Sequence, residues 1–454
     1  MAYISINPYT LEKIGSWPSD NDSELADKIK ETHRRWGEWK SSSVTERIRL
    51  LENLSEVLVQ KREYHASLMV SEMGKPVQQA LAEVEKCALL SRYYASRLEE
   101  FLTPGERISS AERSYVRYDP QGLILGVMPW NYPYWQVFRF VLPAVAGGNA
   151  AVLKHASNVT SCAFAIEAAM KEAGFPESLF RVLLPDHEQI ERLIALPEIR
   201  GVALTGSNEA GSKVASLAGK YIRKCILELG GSDPFIVFPD ADIEKAAEGA
   251  VTGRFQNCGQ SCIAAKRLLV HQSVYDRFTD RFLELVAGMK RGDPADPAVF
   301  IGPLVNVNAM NEIDRQVRES VEMGATLLSG GRPGIHGPAF YEPTVLTDIP
   351  RLAPVALEEV FGPVAPIFRF WTAEEAATIA NGSRFGLGAS VWTNDKELAD
   401  EMIELLDTGS IAVNGFMRSD PALPFGGVKE SGFGRELSYE GFCEFLNVKS
   451  VAYY

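Results

Sequence analysis

The sequence predicts an α/β protein with two parallel sheets, and three observations carry that expectation. Beyond residue 120, short apolar runs at 123–128, 150–153, 181–184, 202–205 and 226–229 alternate with amphipathic stretches. That spacing belongs to strands joined by crossover helices. A second series begins at 234–238 and continues through 268–271, and the 454-residue length fits two or three buried cores better than one.

Taken in order, the first hundred residues read as helices. Ser43-Val44-Thr45-Glu46 has the form of a capping box, and Ile48, Leu51, Leu54 and Leu58 follow at helical spacing as a core face. One helix ends and another begins around Met73-Gly74-Lys75-Pro76, and residues 103–120 break the pattern as a short excursion or hairpin. The two strand series then suggest two α/β units meeting at a cleft, with Glu228 and Gly230-Gly231 near the crossing. Ligands of open α/β sheets bind beyond the carboxyl ends of strands, so the loops after those strands are the places to read for function.

Composition narrows the classes. With 46% hydrophobic and 23% charged residues the chain has the make-up of a soluble globular protein, and no apolar run is long enough to cross a bilayer. The N-terminus lacks the basic-then-apolar order of a signal peptide, so a cytoplasmic location is expected. A net charge of −13 argues against nucleic-acid binding but not against a small anionic substrate. Six scattered cysteines do not make a disulfide scaffold, and six histidines without a His-x-x-x-His pair give no zinc site.

Several loops carry chemistry. Cys262, in Gly259-Gln260-Ser261-Cys262, is a candidate nucleophile, and Glu228, ending an apolar run before paired glycines, is a candidate general base. Asn131, in Pro129-Trp130-Asn131-Tyr132-Pro133, either donates to an oxyanion or shapes a proline-bounded turn. Lys154 at a strand end suits ribose hydroxyls or phosphate, or is a solvated lysine. The stretch from Gly206-Ser207 to Gly211-Ser212-Lys213 brings backbone amides to a helix start. It misses the P-loop order because its last two residues are transposed. A phosphate-binding NTPase built on it would require no Cys262.

Together these segments resemble the aldehyde dehydrogenase superfamily, nearly end to end. Pro129–Pro133, Glu228-Leu229-Gly230-Gly231, Gly259–Cys262, Glu358-Glu359-Val360-Phe361-Gly362-Pro363 and Pro424-Phe425-Gly426-Gly427-Val428-Lys429 match its motifs in order. Within it the chain looks most like the compact bacterial succinate-semialdehyde dehydrogenases. The resemblance implies a Rossmann-like cofactor domain over 1–102 and 121–230 and a catalytic α/β domain over 231–430. It also implies a small β oligomerisation element over 103–120 and 431–454, in a homodimer or homotetramer. It further implies that Cys262 attacks an aldehyde, that Asn131 and the Cys262 N–H hold the oxyanion, and that Glu228 activates water against a thioester. Trp130, Lys154, Ser157, Gly206, Ser207, Glu359 and Phe361 would line the cofactor site. Many NAD-preferring members carry glutamate where Ser157 stands, so NADP is the expected cofactor, with NAD also accommodated.

Arg139 lies eight residues beyond Asn131, where succinate-semialdehyde dehydrogenases bind the substrate carboxylate. It reads as a carboxylate clamp or as one half of a buried ion pair. Trp135 on the same helix face would wall the aliphatic part, and Ser419 would complete the carboxylate site. Gln256 stands where some members carry a second arginine. The alternative substrate is another short aldehyde such as glutarate semialdehyde. Cys258, four residues before Cys262, reads either as a small buried residue or as a redox partner of the nucleophile.

Overall fold

The computed structural model describes residues 2–454. Helices Asp22–Trp39, Val44–Gln60, Arg62–Met73 and Val77–Leu102 fill the first hundred residues. An antiparallel hairpin of Ala2–Ile6 and Lys13–Pro18 precedes them, where the sequence reading has only helix. Only Tyr3 and Ser5 of its first strand turn inward, so the alternation has little apolar contrast to reveal it. The Ser43 side chain accepts the Glu46 N–H, and Leu51, Leu54 and Leu58 are fully buried. Gly74, at φ 74°, closes the third helix in the left-handed conformation that glycine tolerates best.

Residues 103–120 do form a hairpin. Gly105–Glu106 pairs with Arg113–Pro120, which pairs in turn along its full length with Leu446–Tyr453. The stretch from 431 is divided, however. Gly432–Phe433 joins the edge of the first large sheet against Leu227 and Glu228, so only the final strand belongs to the three-stranded sheet.

That first large sheet has six strands, five of them parallel: Leu123–Met128, Ala150–His155, Phe180–Val182, Ile199–Thr205 and Lys224–Glu228. The strand Leu123–Met128 sits between Ala150–His155 and Ile199–Thr205, so the strand order reverses around it and opens a crevice at its carboxyl end. The helix Trp135–Ala146 follows, buried at every position.

The second sheet has seven strands. Asp233–Val237, Ala265–His271, Thr344–Thr347, Val364–Phe370, Gly388–Trp392 and Ser410–Val413 run parallel, and Thr326–Ser329 forms an antiparallel edge. The carboxyl edge of the first sheet meets the amino edge of the second. Cys262 therefore lies on a loop that precedes its strand, not on one that follows it as the strand-end rule suggests.

Candidate active site

The loop that presents Cys262 is held in an unusual backbone shape. After the helix Ile243–Phe255, three consecutive residues, Asn257, Cys258 and Gly259, take φ of 55°, 57° and 73°. Two of them are not glycine, at a cost of about 1–2 kcal/mol each. The Asn257 side-chain amide offsets part of this by donating to the carbonyls of Asn131 (2.8 Å) and Gln260 (3.0 Å). Gln260 accepts the Val305 N–H at 2.9 Å. A Cβ on Gly259 would stand 2.3 Å from the Gly362 carbonyl oxygen, so the loop closes only on glycine.

Cys262 is thereby placed, partly buried, in the wall of a cavity. Burial pushes its thiol up to about 11, against the pull of Lys266 and Arg139. The Lys266 ammonium donates to the Cys262 carbonyl (2.7 Å) and to Glu359 (2.9 Å). Asn131, 4% exposed, donates from its amide to the Gln260 carbonyl at 3.1 Å, which ties its side chain to the loop that carries Cys262.

Glu228 ends the strand Lys224–Glu228, is 2% exposed, and neither of its carboxylate oxygens has a hydrogen-bond partner. Burial first, and then the nearby Glu436 carboxyl, raises it well above the usual carboxylate range; Arg139 and Arg435 oppose the rise. Glu228 does not line the cavity that carries Cys262. The two are linked through Arg139, whose charge acts on both.

Trp135, Arg139, Gln256 and Ser419 all line the Cys262 cavity. Arg139, 2% exposed, pairs through Nε with Glu436 at 2.6 Å. Its guanidinium also lies over the Phe425 ring at 4.7 Å. Of the two sequence readings, the buried ion pair is therefore present, in a residue that still borders the cavity. Sequence reasoning missed Lys86, which reaches the cavity from the helix Val77–Leu102. Its ammonium donates to the Ser419 hydroxyl at 2.7 Å and lies 4.2 Å from the centre of the Trp135 ring. Burial lowers it to about 8. The signal was there in the pattern, since Lys86 falls three residues after Glu83 on a stripe otherwise made of Ala80, Val84 and Cys87. Glu436 and Lys266 lay outside the sequence reading as well.

Cys258 faces elsewhere. It packs into the core of the second sheet, where its Sγ accepts the Gly302 N–H (3.2 Å) and donates to the Gly302 carbonyl (3.4 Å). Of the two readings of this residue, the buried one describes the structure; the thiols of Cys258 and Cys262 border different spaces.

A separate surface groove is lined by Lys154, Ser207, Val127, Ile190, Leu204 and Lys213. Lys154 has no carboxylate partner among the described residues, and burial lowers its ordinary value. The Ser207 hydroxyl accepts the Ala210 N–H at the start of the helix Asn208–Lys220, and the Gly206 N–H donates to the Glu228 carbonyl (3.0 Å). A partnerless cation beside a helix N-terminus fits an anionic ligand. Ser157 is exposed three residues beyond Lys154, where the strand gives way to a one-turn helix. Trp130, on the loop after the strand Leu123–Met128, meets Phe361 edge to face at 5.8 Å, and Glu359 accepts the Gly231 N–H at 3.0 Å.

Comparisons with known proteins cover the whole chain. A protein of Mycobacterium tuberculosis named succinate-semialdehyde dehydrogenase (NADP+) 1 is 43% identical over 458 residues, covering 99% of each chain. A probable NADP+ succinate-semialdehyde dehydrogenase of Synechocystis is 43% identical over 451 residues, again covering 99% of each. The crystal structure of succinic semialdehyde dehydrogenase from Streptococcus pyogenes with NADP+ as cofactor superposes with a TM-score of 0.97 at 35% identity, covering 99% of both chains. The aldehyde dehydrogenase family model matches residues 2–451, and the chain belongs to the aldehyde dehydrogenase family.

Proposed function

We propose that the protein oxidises succinic semialdehyde to succinate with NADP+, as the names of its relatives describe for them. The observation that carries the reading is the cavity holding the Cys262 thiol, which two cationic side chains, Lys86 and Arg139, and the Ser419 hydroxyl also line. A short aldehyde with a carboxylate matches a thiol and positive charge in one small space.

Cys262, as thiolate, adds to the aldehyde carbon, and the carbonyl electron pair moves to oxygen. Asn131 has two amide N–H groups and gives one to the Gln260 carbonyl, which leaves the other for the oxyanion beside the Cys262 N–H. Bound nicotinamide supplies the two-electron acceptor. Loss of hydride from the carbon leaves a thioester on Cys262. Glu228 then takes a proton from water, the hydroxide equivalent adds to the thioester, and the thiolate leaves with the acid formed. A carboxylate held above its ordinary value is the stronger base once ionised.

For the cofactor, Lys154, Gly206 and Ser207 are proposed to hold the phosphates and the adenosine ribose. Trp130, Glu359 and Phe361 would border the nicotinamide end. Ser157, carrying no charge, leaves a 2′-phosphate unopposed, so NADP+ is preferred and NAD+ is accepted. The three-stranded sheet of residues 105–120 and 446–453 is proposed as the contact between subunits of a homo-oligomer in the cytoplasm.

The test is the initial rate of reduced-nicotinamide formation with succinic semialdehyde, with NADP+ and NAD+ in parallel and butanal as the uncharged control. Faster turnover of the acid-bearing aldehyde with NADP+ supports the reading. Equal rates with butanal would remove the substrate assignment and leave the thiol mechanism standing.

A further inference from the structure

We infer that Lys86 binds the substrate carboxylate and sets the selection for acid-bearing aldehydes. This step rests on the proposed reading of the Cys262 cavity as an aldehyde site. Arg139 already carries a counter-ion, since its Nε is held by the Glu436 carboxylate at 2.6 Å and both side chains are almost completely buried. A substrate carboxylate approaching Arg139 would meet a second carboxylate in a desolvated space, and like charges there repel. Gln256, in the same wall, offers only a neutral amide.

Lys86 is differently placed. No carboxylate pairs with it among the described residues. On its own helix, the acid whose charge acts on it, Glu83, is fully engaged. One Glu83 oxygen takes the Lys75 ammonium, and the other accepts the N–H groups of Tyr134 and Trp135 at 3.0 Å each. The Asp420 carboxylate accepts the Ala422 N–H at 2.9 Å. An ammonium has three donors, and the Ser419 hydroxyl uses one of them. The Trp135 face steadies the charge at 4.2 Å without offering a competing lone pair. A partly buried cation whose remaining donors lack an acceptor is stabilised when an anion arrives. Ser419 and Trp135 thus hold the Lys86 ammonium toward the space that Cys262 borders, and the carboxylate of a short ω-acid aldehyde supplies the acceptor it lacks.

The experiment is the ratio of kcat/KM for succinic semialdehyde to kcat/KM for butanal, in the full-length protein and in Lys86→Met, Lys86→Arg and Arg139→Met. Thermal melting serves as the folding control. A charge-assisted hydrogen bond lost from a binding site predicts a ratio about tenfold lower or more in Lys86→Met, through the KM of the acid-bearing aldehyde. Lys86→Arg, which keeps the charge, retains the wild-type preference. Arg139→Met slows both aldehydes together, because it strips the counter-ion from Glu436 beside Glu228. A wild-type preference that survives in Lys86→Met, or collapses only in Arg139→Met, overturns the role of Lys86 alone. A wild-type protein with no preference overturns the substrate reading, and the Lys86 assignment with it.

Discussion

Burial acts on the two reactive groups of this site, the Cys262 thiol and the Glu228 carboxyl. It raises the Cys262 thiol to about 11, so the thiol is protonated near neutrality in the absence of ligands, and it lifts the Glu228 carboxyl well above its usual range. Below its pKa the thiolate fraction of Cys262 rises about tenfold for each pH unit. Iodoacetamide inactivation of the cofactor-free protein is therefore expected to accelerate steadily from about pH 7 to about pH 9, and a flat profile would contradict the geometry. Lys266 opposes the upward shift, so Lys266→Gln should slow alkylation at every pH. If Glu228 is the base for thioester hydrolysis, Glu228→Gln lowers steady-state turnover by about 10²–10⁴-fold. A first-turnover burst of reduced cofactor, one per active site, should remain. Ser157→Glu would place a carboxylate beside Lys154, and the NADP+/NAD+ ratio of kcat/KM should fall about tenfold or more; an unchanged ratio would mean that Ser157 does not face the ribose.

At the scale of elements, glycines and one buried acid fix how the pieces meet. Gly231 lets the turn between the two sheets pass against the nucleophile loop, since a Cβ there would stand 2.4 Å from the Cys262 carbonyl oxygen. Gly231→Ala is expected to displace the thiol and lower kcat on the order of 10²-fold, with a smaller effect on melting temperature. Glu83 ties two helices together. It neutralises Lys75, and it accepts the first N–H groups of the helix Trp135–Ala146 that carries Arg139. Glu83→Gln leaves a fully buried ammonium uncompensated, at a cost of about 3–5 kcal/mol visible as a lowered melting temperature. The helical reading of residues 44–60 and the break at Gly74 were legible in the sequence, because caps, leucine spacing and a left-handed glycine are local signals. The N-terminal hairpin was not, because its inward face holds only Tyr3 and Ser5.

Across the whole molecule, the site exists because two sheets meet edge to edge. Asn131 and Glu228 come from the carboxyl edge of the first, and Cys262 from the amino edge of the second. The final strand Leu446–Tyr453 covers Arg113–Pro120 along its length. Removing residues 446–454 should expose that edge and change the mass measured by light scattering, either by loss of oligomer or by aggregation. An unchanged mass would remove this sheet from the subunit contact.

The α/β class, the two strand series and the family were legible in the sequence, and Cys262, Glu228 and Asn131 stood out there as candidates, because each is written in local periodicity or in a contiguous motif. The rest emerged from packing. That packing paired Arg139 with Glu436, turned Cys258 into the core, and brought Lys86 to Ser419 across 333 positions of chain. These outcomes depend on which charges share a desolvated space once the elements have packed. Coulomb interaction and desolvation act through distance in space, which residue spacing along the chain does not encode.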